Sequence, residues 1–360
     1  MKKCFFSLLF LCGTAATWSQ SDSLPKPAWS LDGYVEVYYN YSFNQPENHE
    51  LPKFLYSFNR HNEVSLNFGM IRATYDQDRV RGKLALMVGT YVQSNLIAEP
   101  DGLQHIYEAN VGLKLSQSRD LWLDAGVFSS HIGFESAIGA DVWTMTRSIA
   151  AENSPYFSTG IKLSYKSPNQ KWFLSGLVLN GWQRMQRIAG NQTLAFGHQL
   201  TYQPSDGVLI NSSSYIGSDA PDSLRQMRYF HDWYTELKIS PKVRLIAGFD
   251  IGAQQVHKGS SSYDLWYSPS LIGKYQFNAQ WSLGLRGEYY SDKKQLIISG
   301  DAEGGFQTWG YSTNLDYRFS EAVLWRIEFR NFNDKRANFV RNAQAVHSEA
   351  FIGSSLSIKF

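Results

Sequence analysis

From Lys242 to Gln254 the sequence keeps a period of two. Val243, Leu245, Ala247, Phe249, Ile251 and Ala253 alternate with Lys242, Arg244, Gly248, Asp250, Gly252 and Gln254, and Ile246 is the only apolar residue out of step. Successive side chains of a strand point to opposite faces, so this stretch is a ribbon with one oily and one polar face. The pattern recurs where Trp29, Leu31, Val35, Val37, Tyr39, Tyr41 and Phe43 alternate with Ser30, Asp32, Glu36 and Asn40. It recurs again at Leu121, Leu123, Ala125 and Val127 against Asp120 and Asp124, and at Val323, Trp325, Ile327 and Phe329 against Arg326, Glu328 and Arg330. Helical spacing surfaces only over 136–152. Segments 61–76, 170–182 and 207–217 alternate less cleanly, which points to bulges or buried loop contacts there.

Period and turn residues together place sixteen strands, near 29–43, 61–76, 79–92, 105–116, 119–128, 156–166, 170–182, 194–203, 207–217, 226–239, 242–254, 263–277, 279–291, 305–319, 321–332 and 346–360. Seven connections are tight, such as Asp76 to Asp78, Gln117-Ser118 and Ser240-Pro241. The eight that alternate with them are long: 44–60, 93–104, 129–155, 183–193, 218–225, 255–262, 292–304 and 333–345. Most strands run to 11–16 residues, whereas strands of soluble sheets average about 5–6. Outer-membrane barrels have even strand numbers, dyad-repeat strands, short periplasmic turns and long extracellular loops. Closure also gives every backbone N–H and C=O in lipid an internal partner. The expected fold is therefore all-β, a transmembrane antiparallel up-and-down β-barrel of sixteen strands over 29–360.

Composition makes sense once it is divided between two faces. With 43% hydrophobic and 18% charged residues and a mean hydropathy of −0.34, the average reads as soluble. No run approaches the roughly 18 apolar residues of a spanning helix. The chain opens on Lys2-Lys3, an apolar run from Cys4 to Gly13, and small residues over Thr14 to Ser19. That order predicts a secretory signal peptide over 1–19, followed by a short periplasmic lead over 20–28. The apolar run would span about 15 Å of a hydrocarbon core of about 30 Å, too short for an anchor. Cys4 and Cys12 are the only cysteines, so disulfide, thiol and cysteine-metal chemistry is excluded from the mature chain. Loss of Lys2 and Lys3 takes the formal charge from +2 to 0, which excludes nucleic-acid binding by net charge.

Trp29, Tyr39, Tyr41, Phe43, Tyr317 and Phe319 fall near strand ends on the apolar face, the place of aromatic girdles at the two membrane interfaces. The last strand alternates Ala350, Ile352, Leu356, Ile358 and Phe360 with Gly353, Ser355, Ser357 and Lys359. Its final aromatic resembles the signal read by the barrel-assembly machinery of bacterial outer membranes. Four stretches carry a wider resemblance: Gly126-Val127-Phe128-Ser129-Ser130-His131-Ile132-Gly133-Phe134-Glu135-Ser136, Ala151-Glu152-Asn153-Ser154-Pro155-Tyr156, Leu179-Asn180-Gly181-Trp182-Gln183-Arg184 and Gly248-Phe249-Asp250-Ile251-Gly252. They resemble the β-barrel porins of Bacteroidota described as outer-membrane-protein-L-like, over nearly the whole mature chain. The resemblance implies a porin-like protein of the outer membrane and brings no catalytic, cofactor or ligand residues with it.

Sixteen strands leave an aqueous lumen, whereas eight would be filled by side chains. Charged residues of the polar faces then line it, among them Arg244, Asp250, Arg286, Glu288, Arg326, Glu328 and Arg330. A Lys or Arg turned to mid-membrane lipid would cost about 2–4 kcal/mol. The longest connection, 129–155, follows the fifth strand, where general diffusion porins carry the loop that narrows the pore. The expectation is a constriction in which Glu135, Asp141 and Glu152 face Arg147, Arg326 or Arg330 across the pore, with His131 beside them. Mixed charge predicts weak ion preference and passive diffusion of small hydrophilic solutes. Outer-membrane lipid and those solutes are the expected partners, and other sixteen-strand porins suggest a homotrimer by analogy.

Two other classes compete. A barrel hydrolase or acyltransferase would draw a nucleophile from Ser129 or Ser130 and a base from His131. No H-E-x-x-H or G-x-S-x-G motif is present, and adjacency in sequence does not make a triad. A structural or binding barrel would plug its lumen with its own loops and offer a surface such as Arg336, Phe339 and Arg341 to a partner. Neither a cofactor motif nor a metal motif is visible in the sequence.

Overall fold

The computed structural model describes residues 28–300 and 302–360. The expected signal peptide, and the expected lead apart from Ala28, lie outside the described residues. The first half of the barrel comprises β1 (Trp29–Ser42), β2 (Val64–Gln77), β3 (Val80–Val88), β4 (Ile106–Lys114), β5 (Asp120–Ser129), β6 (Phe157–Lys166), β7 (Trp172–Leu179) and β8 (Ala195–Ser205). It continues through β9 (Val208–Gly217), β10 (Arg228–Lys238), β11 (Val243–Gln255), β12 (Tyr263–Gln276), β13 (Trp281–Asp292), β14 (Phe306–Arg318) and β15 (Val323–Asp334). A hairpin of β16 (Phe339–Arg341) and β17 (Gln344–Val346) occupies the last loop, and β18 (Ser348–Lys359) closes the barrel against β1. Sequence neighbours are spatial neighbours throughout, giving a closed antiparallel up-and-down barrel of sixteen strands.

Each expected strand has its counterpart. The one expected over 79–92 stops at Val88, because Gly89 takes a φ of 127° and a Cβ there would strike the Asn67 backbone. The irregularity of 61–76 is a bulge: Glu36 pairs with Phe68 and Val37 with Leu66, which leaves Asn67 extra and turned inward. Closure is a backbone exchange in which Gly33 N donates to Phe360 O at 2.7 Å and Phe360 N to Gly33 O at 3.0 Å.

Outward positions carry the apolar set, as a lipid-facing belt requires. Aromatic side chains bound the belt at both ends. On the turn side Trp29 packs on Tyr75, Trp172 on Tyr202, and Trp281 on Tyr317. On the loop side Phe43 packs on Phe329, Tyr267 on Tyr289, and Tyr289 on Trp309. These are the two girdles the strand-end aromatics predict.

A hydrophobic core also exists, and it lies inside the barrel. Inward residues at the loop-side ends of the strands, Phe230, Trp266, Tyr290, Phe306, Phe332 and Phe351, pack with Leu51, Phe54 and Leu55 of the first loop, Ile298 of the seventh and Phe339 of the last. Loops that reading by alternation treats as outward connections thus fold back to cap the barrel. Phe339, which the binding-barrel alternative offers to a partner, is buried in this cap, and Arg341 donates from Nε to Asn44 Oδ1 at 2.7 Å.

Candidate pore and its inward-folded loop

The connection between β5 and β6 crosses the lumen and touches the wall on several sides. Towards β9 and β10, Ser213 Oγ donates to His131 O at 2.7 Å and Gly133 N donates to Asp232 Oδ1 at 3.1 Å. Towards β1, Ala140 N donates to Tyr34 OH at 3.1 Å. Gly139 lies so close to the Glu36 carboxylate that any Cβ would collide with it. Of the helical spacing over 136–152, a single turn at Gly139–Asp141 and the short helix Ile149–Glu152 form, the latter capped by Ser148 Oγ accepting from Ala151 N at 3.1 Å.

The firmest attachment is to β13, β14 and β15. Arg326 donates to the loop carbonyls of Gly139 and Thr144 at 2.9 Å each and of Val142 at 2.6 Å. Arg286 Nη1 donates to Thr146 O at 2.8 Å, and Arg330 Nη1 donates to Arg147 O at 2.6 Å. The acids of the same wall accept from the loop: Glu328 Oε2 from Thr146 N and Glu288 Oε2 from Ile149 N, both at 2.6 Å. Across the strands Arg286 pairs with Glu328 at 3.0 Å, Arg330 with Glu288 at 2.6 Å and Arg326 with Asp316 at 3.2 Å. Buried charges persist only when paired and hydrogen-bonded, and here each has both wall and loop partners except Asp316, whose partners Asn314 and Arg326 are on the wall.

This lattice replaces the arrangement expected of the loop. None of Glu135, Asp141 and Glu152 bonds to Arg147, Arg326 or Arg330. Glu135 accepts from Ser148 N at 3.0 Å and stands 3.9 Å from Arg286, while Asp141 pairs with Lys359. Glu152 accepts from Tyr56 N at 3.0 Å and Ser57 N at 3.2 Å, and burial pushes its carboxyl up to about 7. Arg147 turns back on its own loop, donating to Ser136 O and Met145 O at 2.7 Å and Ala137 O at 2.8 Å. The buried charges of the loop, Glu135, Arg147 and Glu152, hold the loop and its neighbours in place, whereas Asp141 is 44% exposed. Arg286, Glu288, Arg326, Glu328 and Arg330 therefore point inward as expected but lie beneath the loop.

The remaining expected positions are elsewhere on the wall. Asp250 stands opposite Asp232 in the β10–β11 ladder, and Arg244 lies with its guanidinium 5.6 Å from the Trp143 ring. His131 is buried with Nε2 2.8 Å from Ser214 O. Neither serine of the imagined nucleophile–base pair reaches it: Ser129 Oγ donates to Glu108 at 3.2 Å, and Ser130 Oγ accepts from Ile132 N at 3.1 Å. Among the described residues no group of three or more His, Asp or Glu side chains is placed to hold a metal ion.

Open space remains along β2 to β7. A cavity of about 470 Å³ on the turn side is lined by Arg81, Lys83, Lys162 and Lys166 together with Asp76, Glu108, Asp120 and Asp124. A second, of about 410 Å³, lies on the loop side against Glu152, Phe157, Gln183 and Arg228. Phe157 lines one and its register partner Ser129 lines the other, so the two are separated by the layer where the loop leaves and rejoins the wall. Alternation alone does not find these two cavities or the apolar cap. The signal for the cap was nevertheless present, since Phe230, Trp266, Tyr290, Phe332 and Phe351 are aromatic intruders on the inward face, each near the loop end of its strand.

The family described as "Putative beta-barrel porin-2, OmpL-like" matches residues 29–360. No curated protein matches the chain. Among solved structures, a trimer form of OmpT, an outer membrane protein of Vibrio cholerae, superposes with a TM-score of 0.61 at 8% identity, covering 92% of this chain and 99% of that one. An anion-selective porin from Comamonas acidovorans gives 0.59 at 10% identity, covering 92% and 99%. A mutant of the Rh. blastica porin gives 0.51 at 12% identity, covering 92% and 100%. At such identities the likeness is one of fold.

Proposed function

The chain belongs to the OmpL-like β-barrel porin family of the outer membrane, and on that premise we propose that it is a passive channel for small hydrophilic solutes. One observation carries the reading: the turn-side cavity is lined by four basic and four acidic side chains. Rings of one sign select ions strongly, whereas balanced charge at a wet wall favours neutral and zwitterionic solutes with little ion preference. The connection 129–155 acts as the constriction, which it forms by filling the β13–β15 side of the lumen. In the membrane the tight turns face the periplasm and the long loops face outward. The strand ending in Phe360 is the segment the assembly machinery reads, and the signal peptide 1–19 directs export. The working unit is a homo-oligomer, a trimer by analogy with the trimer form of the Vibrio protein.

Reconstitution in planar bilayers and liposomes tests this. The expected result is ion conductance with a reversal potential near zero in a salt gradient, and swelling with sugars, amino acids and short peptides. A reversal potential near that of an ideally selective electrode refutes the balanced channel. The aromatic cap favours a second reading, a barrel plugged on its loop side. Silence of the whole chain combined with conductance after removal of 45–60 supports that one.

A further inference from the structure

The outward face of the barrel is mostly apolar; polar side chains elsewhere on it, such as Thr235, Thr313 and Ser354, are scattered, and at one place they cluster. On β8, β9 and β10 the outward positions at one level are His198, Ser214 and His231, register partners in that order, with Ser212 one outward position nearer the turn side. These histidines are the only Asp, Glu, Lys, Arg or His side chains at outward strand positions among the described residues. They lie within the belt: exposed Phe196, Ile216 and Tyr229 flank them towards the loops, and Trp233 and Ile210 towards the turns. The four side chains form one polar patch. Ser214 Oγ is 2.5 Å from His198 Nδ1, and Ser212 Oγ is 3.4 Å from His198 Nε2 and 3.5 Å from His231 Nε2.

Hydrocarbon supplies no donor or acceptor, so a patch of this kind turned to lipid leaves hydrogen-bonding capacity unmet. Imidazole and hydroxyl groups both donate and accept, so the patch is its own complement. Every other outward sector of this chain within the belt presents mainly apolar side chains and would serve it no better than lipid. A surface meets its own equivalent only beside the symmetry axis of a closed assembly. Gly176, the register partner of His198 on β7, adds a recess, since a Cβ there would meet only open space.

We infer that the β8–β10 face is the axis-facing wall of a homo-oligomer, where His198, Ser212, Ser214 and His231 bond to the same residues of neighbouring copies. The inference rests on the oligomeric reading above and adds to it which wall makes the contact. Residues 28–360 contain no cysteine, so Ser214→Cys is a clean reporter in outer-membrane vesicles oxidised with copper phenanthroline. Val35→Cys on β1, eight strands away around the barrel, is its counterpart on the far wall, and the unsubstituted chain is the blank.

The expected result is a band of twice the chain mass from Ser214→Cys and none from Val35→Cys, each in a barrel that still shows heat-modifiable migration. Cross-linking at Val35→Cys alone, or an oligomeric mass by sedimentation with no cross-link at either position, overturns the assignment of the wall and leaves the oligomer standing. A single-chain mass with no cross-link overturns both. The double variant His198→Leu, His231→Leu is expected to sediment as one chain, and an unchanged oligomer removes the polar contacts as its cause.

Discussion

Two stretches of the inner wall have the same alternating pattern and opposite fates. On β13–β15 the side chains of Arg286, Glu288, Glu328 and Arg330 are 0% exposed, whereas on β3 those of Arg81 and Lys83 are 35% and 42% exposed. Nothing in the strands themselves separates the two. The difference is the loop, which lies across β13–β15 and leaves the basic side chains of β3 to water, although their partners Glu108 and Asp124 are only 4% and 5% exposed. An inward charge is therefore a pore-lining charge only where no loop uses it as an anchor. In this barrel the denser set of arginines, the obvious choice for a selectivity ring, is the anchored one.

Removing 136–150 should break the contrast most sharply. Arg286, Arg326 and Arg330 would then meet water, and single-channel conductance should rise several-fold in a barrel that still migrates heat-modifiably. Unchanged conductance would mean that the loop does not limit the route. Next in size is Arg286→Met with the loop in place, which takes from Glu328 its ion-pair partner and from Thr146 two of its three guanidinium bonds. Breaking a buried pair from one side costs about 3–5 kcal/mol, to be read from urea midpoints in lipid vesicles. The same substitution in the barrel lacking 136–150 should cost much less, because water then solvates Glu328. Lys83→Gln should cost less, about 1 kcal/mol, because Lys83 is 42% exposed and Arg72 still stands 3.7 Å from the buried Glu108. It leaves Glu108 with one cation fewer, and the reversal potential should move towards cation preference.

Strand number, order and the inward or outward sense of each charged residue were legible because period two and turn residues are local properties. The three irregular segments show what was not. Over 61–76 the cause is a bulge at Asn67, whose amide donates to Glu36 at 2.9 Å. Over 170–182 it is Leu177 and Leu179, turned inward into the cap. Over 207–217 it is Ser212 and Ser214, turned outward beside two histidines. One symptom, a lapse in alternation, thus has three physical causes that only the positions of distant residues distinguish. The loop was legible as an inward candidate from its length and place after the fifth strand. Its partners were not, since Arg326 and Arg286 bond to carbonyl oxygens, which every sequence has everywhere.

The smallest expected effect lies where the loop meets the cap. Glu152 holds the first loop by accepting from Tyr56 N and Ser57 N, and burial raises its carboxyl from the ordinary 4.5 to about 7 despite the nearby charges of Arg147 and Arg330. A carboxyl raised by folding favours the folded arrangement in full below its unfolded value, and the contribution is lost as pH rises through the folded one. The first loop should therefore be better anchored near pH 5 than near pH 8, with slower proteolysis of 44–60 and slower amide exchange at Tyr56 and Ser57. Glu152→Gln keeps an acceptor without the titration and should flatten the dependence. A dependence of equal size in that variant would place the titrating group elsewhere and detach the cap from the state of the loop.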